Sequence, residues 1–381
     1  MRLLEIARLF LRFGFVAFGG PAAHIAMMDD EFVERRKWVT RQHFLDLVGA
    51  TNLIPGPNST EMVMHLGYER GGVLGMIVAG FCFILPAAGL TGILAWSYVE
   101  YGALPAVEPF LVGIKPAVIA IILGALWKLG KKAAKGWRLG LIGISAAVAS
   151  LLGAGEIITL AGIGVLGTIW LHTSSTESAA AGVIVLLSQT KRQVFAAAAA
   201  AGAAASALSL TKLGLFFLKI GSILYGSGYV LIAFLEGGLV NDYGWLTKSQ
   251  LLDAVAAGQF TPGPVLTTAT FIGYVLMGWR GAGVSTLGIF LPSFIFVAIL
   301  NPIIPKLRNS AWSASFLDAV NAAALGLMAA VVIELALSTL ITWQAAVIAL
   351  AAALCVFFLK LNSAYLVLGG ALLGWALSLL S

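Results

Sequence analysis

Pro55-Gly56-Pro57 returns 207 residues later as Pro262-Gly263-Pro264, in a chain that is otherwise mostly apolar. At the same offset Gly14 meets Gly221, Gly19 meets Gly226, Trp38 meets Trp245, Thr40 meets Thr247, Asp46 meets Asp253 and Ala50 meets Ala257, with no gap. Beyond the proline turn the repeat continues at an offset of 206. Gly67-Tyr68 becomes Gly273-Tyr274, Gly72 becomes Gly278, Leu85-Pro86 becomes Leu291-Pro292, and Lys115 stands opposite Asn321. One unit has been duplicated, giving halves of residues 1–190 and 191–381. Each copy carries a helix-breaking turn, and broken backbone at membrane depth persists only where protein buries it or where it lines a cavity. Paired breaks in two halves point to the binding site of a transporter.

The membrane setting follows from composition. Mean hydropathy is +0.97. Only 10% of residues are charged and 60% are hydrophobic, whereas soluble globules carry about 25% charged residues. Apolar runs able to cross about 30 Å of hydrocarbon recur, among them Val73–Tyr98, Phe110–Leu126, Val284–Leu300 and Phe316–Leu340. The expected fold is an all-α polytopic membrane protein in a bacterial-type inner (plasma) membrane, with the lipid bilayer as its surroundings. Arg2, Glu5, Arg8 and Arg12 argue against a cleavable signal peptide at the start. The net charge of +6 reflects loop cations that set orientation, not a nucleic-acid surface. Cys82 and Cys355 lie far apart without metal-ligand spacing. No glycine-rich nucleotide loop or zinc-protease motif is present, and no nucleophile–base–acid set converges. The expectation is therefore no cofactor, no metal and no catalytic residues: not an enzyme.

Charge placement suggests a topology. Lys128, Lys131, Lys132, Lys135 and Arg138 form the densest basic loop and belong in the cytoplasm, as do Arg35, Arg36, Lys37 and Arg41. Both are satisfied when His43–Leu66 enters and returns, turning at Pro55-Gly56-Pro57, and when Leu3–Met28 does the same at Gly19-Gly20-Pro21. Each half then begins with two re-entrant hairpins. An odd number of spans before the second set makes the halves inverted repeats. A homodimer is compatible with this scheme.

The candidate site lies at these turns. Pro55, Gly56 and Pro57 stop one helix, and Asn58 or Ser59 is suited to cap the next. The free N–H groups and positive dipole end of that helix favour an anion. Thr261, Pro262, Gly263 and Pro264 form the second copy, and Asn52 and Gln259 flank the two tips. Two opposed tips could enclose a tetrahedral oxyanion. Gly19 and Gly20, with Gly226 and Ser227, make a second pair where backbone amides can approach a ligand; tight helix crossing is the competing reading. Arg12, Lys219 and Lys115 are cations in apolar helices, which are usually functional, with snorkelling to the interface as the alternative. Asp46 and Asp253, further coupling candidates, would pair with Arg12 and Lys219 or cap their helices. Glu61 and His24 are the candidates for titration and coupling, and His65 is expected near the headgroups.

The residues Phe18–Pro21, His24-Ile25, Glu31–Val33, Arg35–Trp38, Phe44–Leu47, Asn52, Pro55–Ser59, Gly67-Tyr68 and Phe81–Pro86 resemble the chromate ion transporter family in its long two-domain form. The second copy carries Tyr225-Gly226, Trp245, Gln259, Thr261–Pro264, Gly273-Tyr274 and Leu291-Pro292. The resemblance implies a membrane carrier that exports chromate and confers resistance. Sulfate shares the charge and shape of chromate and is a competitor or an alternative substrate; an oxyanion-selective channel is the rival mechanism. Physics favours export. Moving one charge across 100 mV is worth about 2.3 kcal/mol, so a dianion leaving a negative-inside cell gains about 4.6 kcal/mol per 100 mV. Sulfate uptake would have to import about three protons to run the other way.

Overall fold

A computed structural model describes residues 2–18, 21–133, 136–172, 208–225, 228–301, 311–359 and 361–379. The junction of the halves and the turn residues Gly19, Gly20, Gly226 and Ser227 lie outside these. The described residues form helices and no strands. The first half comprises α1 (Arg2–Val16), α2 (Pro21–Met28, running on as a π-helix over Asp29–Arg35), α3 (Arg41–Thr51), α4 (Asn58–Tyr101), α5 (Glu108–Ala133), α6 (Trp137–Leu151) and α7 (Glu156–His172). The second repeats the series: α8 (Leu210–Ile223), α9 (Leu231–Leu235, with a π-helix over Glu236–Asp242), α10 (Lys248–Phe260), α11 (Thr268–Leu300), α12 (Ala311–Thr339), α13 (Trp343–Leu354) and α14 (Ser363–Ser378).

α4 is two helices joined at a break. Gly71 and Gly72 leave helical geometry, and Gly72 adopts φ 60°, ψ −154°, a region that only glycine occupies without strain. The arm after the break folds back on the arm before it, because Gly67 and Gly75 leave no room for a Cβ between their backbones. α11 breaks in the same way at Met277 and Gly278 (φ 60°, ψ −155°), with Gly273 against Gly281. The first arm of α4, Asn58–Arg70, is about 20 Å long at 1.5 Å per residue. α3, with 11 residues, is about 16 Å long. Neither reaches across about 30 Å of hydrocarbon. Among the described residues four helical stretches are long and apolar enough to cross a membrane: Asn58–Tyr101, Glu108–Lys131, Val265–Leu300 and Ala314–Thr339. In the first and third, the arm after the break has the spanning length.

Ion pairs gather the hairpin mouths of the first half at one face. Glu5, near the start of α1, binds Arg36 Nη1 (3.2 Å) after α2 and Arg70 Nη2 (2.9 Å) at the end of the short arm. Arg41, at the start of α3, pairs with Asp29 (3.1 Å) and Glu34. His43 meets Glu69 at 3.3 Å. Each hairpin therefore starts and ends on the same side of the protein. Phe10, Phe13 and Phe32 pack beneath this face, with Trp38 4.7 Å from Phe32.

The two long arms pack antiparallel. Gly80 and Phe81 meet Phe294, while Gly92 meets Trp279, so one chain direction rises as the other falls. Sequence composition hides this packing: the long arms of α4 and α11 are apolar on nearly every side, so no stripe marks the inward face.

Candidate functional site

The two proline turns are laced into opposite halves. Gly56 N–H donates to the Leu224 carbonyl (2.7 Å), and Gly263 N–H donates to the Ala17 carbonyl (2.9 Å). Ala17 and Leu224 are equivalent positions, just past the ends of α1 and α8. The exchange is thus reciprocal. Pro55, Gly56, Pro57 and Thr261–Pro264 are all buried. Gly56 has φ 142° and Gly263 φ 88°, so a Cβ at either position is strained. At Gly56 it would collide with Glu61 and with Ser293 Oγ; at Gly263 it would sit 2.8 Å from the Ala87 methyl. Ser293 and Ala87 are themselves equivalent, one repeat apart.

This lacing changes the expected donor set. The glycine amides at the tips bind carbonyls, so they are not the groups that meet an anion. Pro57, not Asn58 or Ser59, is the N-cap of α4, and no side chain caps it. Asn58 Nδ2 instead donates to Asn52 Oδ1 at 2.6 Å. The donors left at the first tip are the first-turn N–H groups of Asn58 and Ser59, which have no intrahelical acceptor, and the buried Thr60 hydroxyl, which has no partner.

Hydroxyls dominate the second tip. Thr91 Oγ1, from the long arm of α4, lies 3.2 Å from both Thr261 Oγ1 and Thr267 Oγ1. Those two donate to the Ala257 (3.1 Å) and Pro264 (3.0 Å) carbonyls, so they accept from Thr91. Gln259 Oε1 accepts from Tyr229 (3.2 Å), and its Nε2 is buried without a partner. A cleft of 510 Å³ runs up to Thr261 and Pro262, walled by Phe15, Phe18, Asn362 and Tyr365. Its apolar walls give access to the tip; they do not coordinate charge.

The charged candidates divide. Lys115 turns inward: its Nζ lies 3.7 Å from Asp253 Oδ2, which also accepts from Tyr98 OH at 3.0 Å. Asp253 therefore joins the halves through Lys115, not through Lys219 as the sequence suggested. Asp46 does not pair with Arg12 either; it accepts from Gln42 Nε2 at 3.2 Å. Nor do these aspartates cap. Thr40 and Thr247 do, accepting from His43 N–H (3.2 Å) and Gln250 N–H (3.1 Å), the latter within a capping box. Arg12 and Lys219 are exposed on α1 and α8. Snorkelling suits that position.

His24 and Glu61 sit at opposite tips. His24 Nε2 donates to the same Ala17 carbonyl that accepts from Gly263 (2.9 Å). Glu61, fully buried, accepts from Ser293 Oγ at 3.3 Å through Oε1, and Oε2 has no partner. His65 is buried within the protein too, with Nδ1 3.0 Å from Asn301 Oδ1. The i, i+4 spacing from Glu61 could have flagged it. Among the described residues no group of His, Cys, Asp and Glu is arranged to hold a metal.

Helices broken in the protein interior, doubled and facing each other, define a class: an α-helical membrane protein of the broken-helix type built from two repeats. The chain belongs to the chromate transporter family, which it matches over residues 4–168 and 211–375, one match per half. It is 33% identical to the chromate transport protein of Cupriavidus metallidurans over 381 residues, 98% of this chain and 92% of the relative. It is 32% identical to the chromate transport protein of Pseudomonas aeruginosa over 380 residues, 96% and 90% of the two. The uncharacterized transporter YwrB of Bacillus subtilis is 32% identical over 142 residues, 36% of this chain and 71% of its own length. No solved structure matches.

Proposed function

We propose that this protein exports chromate from the cytoplasm across an inner membrane as a multi-pass secondary carrier of two inverted repeats, and that this confers chromate resistance. The oxyanion binds where the two proline tips meet. The observation that carries the reading is the reciprocal bond between each tip glycine and the opposite half, since it fixes both broken helices in the interior and ties each to the other repeat. Named relatives over nearly the full length support chromate as the substrate.

The anion would be met by the first-turn N–H groups of Asn58 and Ser59, the Thr60 hydroxyl and Gln259 Nε2, with the hydroxyls of Thr91, Thr261 and Thr267 rotating to it from their present acceptors. Hydroxyls and amides suit a carrier that must also release its cargo. Lys115 supplies positive charge nearby, already balanced by Asp253. The antiparallel long arms support an inverted relation, with rocking of one repeat against the other exposing the tips to each side in turn. The membrane potential supplies the drive, about 4.6 kcal/mol per 100 mV for a dianion. Sulfate is the alternative cargo, since the same donors fit either tetrahedral dianion.

The test is chromate flux in inverted vesicles with an imposed potential and competing sulfate, molybdate and phosphate. Accumulation driven by a positive lumen and inhibited by sulfate only in excess is the expected result. Flux of sulfate with no chromate movement would reassign the cargo, and unitary currents would turn the carrier into a channel.

A further inference from the structure

The short arm of α4 carries Glu61, His65 and Glu69 at successive i, i+4 positions. Residues so spaced lie on one face of a helix, about 6 Å apart along its axis. Their burial is graded. Glu61 and His65 are fully buried, and Glu69 is exposed at the hairpin mouth, where it pairs with His43 Nε2. Both inner members keep a free polar atom. His65 Nδ1 faces Asn301 Oδ1, so a neutral ring carries its proton there and leaves Nε2 as an acceptor, buried and without a partner. Glu61 Oε2 is likewise buried and unpartnered, while Oε1 lies against Gly56. Buried side-chain polar atoms mostly find partners, and a helical side chain leans toward the turn before it, which aims His65 at Glu61.

The surroundings leave this row uncompensated. α11 contributes Ser293 and Asn301, which are neutral. Tyr225, after α8, lies within electrostatic reach of Glu61, and His43 of α3 within reach of His65. Gln42 and Asp46 of α3 bind each other, and Glu5 of α1 binds Arg36 and Arg70. No Lys or Arg ion pair reaches Glu61 among the described residues. The second half has nothing comparable: at an offset of 206 the three positions hold Thr267, Phe271 and Val275.

We infer that Glu69, His65 and Glu61 form a proton path from the cytoplasmic mouth of the first hairpin to the transport site, and that the carrier exchanges outgoing chromate for incoming protons held on Glu61. This rests on the functional reading above and names its coupling ion. A carboxyl buried without a cation is stable when protonated. Glu61 is neutral while it holds the proton loaded from outside and returns to a carboxylate when that proton leaves along the row to the cytoplasm, so each cycle carries a proton in as the anion moves out. The row is present in one half only, so the coupling step belongs to the first tip.

The experiment uses the full chain in inverted vesicles, with a pH-sensitive dye in the lumen and chromate outside. With the potential clamped at zero and the lumen about one pH unit more acidic, wild-type protein should accumulate chromate about tenfold per coupled proton while the lumen alkalinises. Glu61→Gln preserves shape and the acceptor for Ser293. It should keep chromate–chromate exchange at zero gradient but lose both the pH-driven accumulation and the proton signal. Glu61→Asp should restore part of each. Glu69→Gln, at the exposed mouth, should slow the proton signal several-fold without altering the final ratio. Glu61→Gln vesicles with wild-type pH-driven accumulation, or wild-type vesicles that respond to potential and ignore pH, overturn this proposal alone. Wild-type vesicles that move no chromate overturn the functional reading and this one with it.

Discussion

The two hairpin tips share a skeleton and differ in chemistry. Gly72 and Gly278 break their helices at nearly identical angles, and Gly56 and Gly263 reach across to equivalent carbonyls. Around that common frame the first tip holds Glu61, His65 and Ser293, while the second holds Thr91, Thr261 and Thr267. Backbone geometry is what two repeats must share to close on each other. Side chains are free to diverge once the frame is set, and here one tip holds a buried carboxyl while the other is rich in hydroxyls.

The largest expected contrast lies in the aspartates that match between the halves. Lys115→Met leaves Asp253, 5% exposed, with Tyr98 as its remaining partner, and should cost about 3–5 kcal/mol. Asp46→Asn, at the matching position, touches a half-buried residue bound to Gln42 and should change stability by less than about 0.5 kcal/mol. Thermal unfolding of the detergent-solubilised protein measures both. Equal losses would mean that the halves use these positions alike.

Next come the breaks themselves. Gly72→Ala and Gly278→Ala meet no neighbouring atom within 4 Å, so strain alone acts, about 1–3 kcal/mol in each case. The two values should agree closely. A large difference between them would show that the shared skeleton is not equally supported.

The smallest effect is expected at Thr91. Thr261 and Thr267 keep their bonds to backbone carbonyls when it goes, so Thr91→Val should cost about 0.5–1.5 kcal/mol. It should still lower chromate flux measurably. Full flux with reduced stability would confine the hydroxyl cluster to a structural role.

Much of this was legible in the sequence. The repeated Pro-Gly-Pro located both tips, and Lys115 was marked by standing alone in an apolar run, whereas the breaks at Gly72 and Gly278 were not foreseen. The capping assignment failed because Thr40 and Thr247, immediately before their helices, outcompete aspartates a turn and a half further on. Neither the partner of Asp253 nor the lacing of Gly56 to Leu224 has a local signal, since each joins positions well over a hundred residues apart. The burial of His65 was hidden for another reason. In helices apolar on every side, composition does not tell lipid-facing from protein-facing positions.

Chromate flux by the Gly263→Ala protein, normalised to the amount inserted and compared with wild type in the same inverted vesicles, tests the site most directly. The substitution strains one tip and presses it against Ala87 while leaving every candidate ligand in place. A loss of at least about tenfold, equivalent to about 1.4 kcal/mol, with normal insertion is the expected result. Wild-type flux would contradict a transport site built between the two tips.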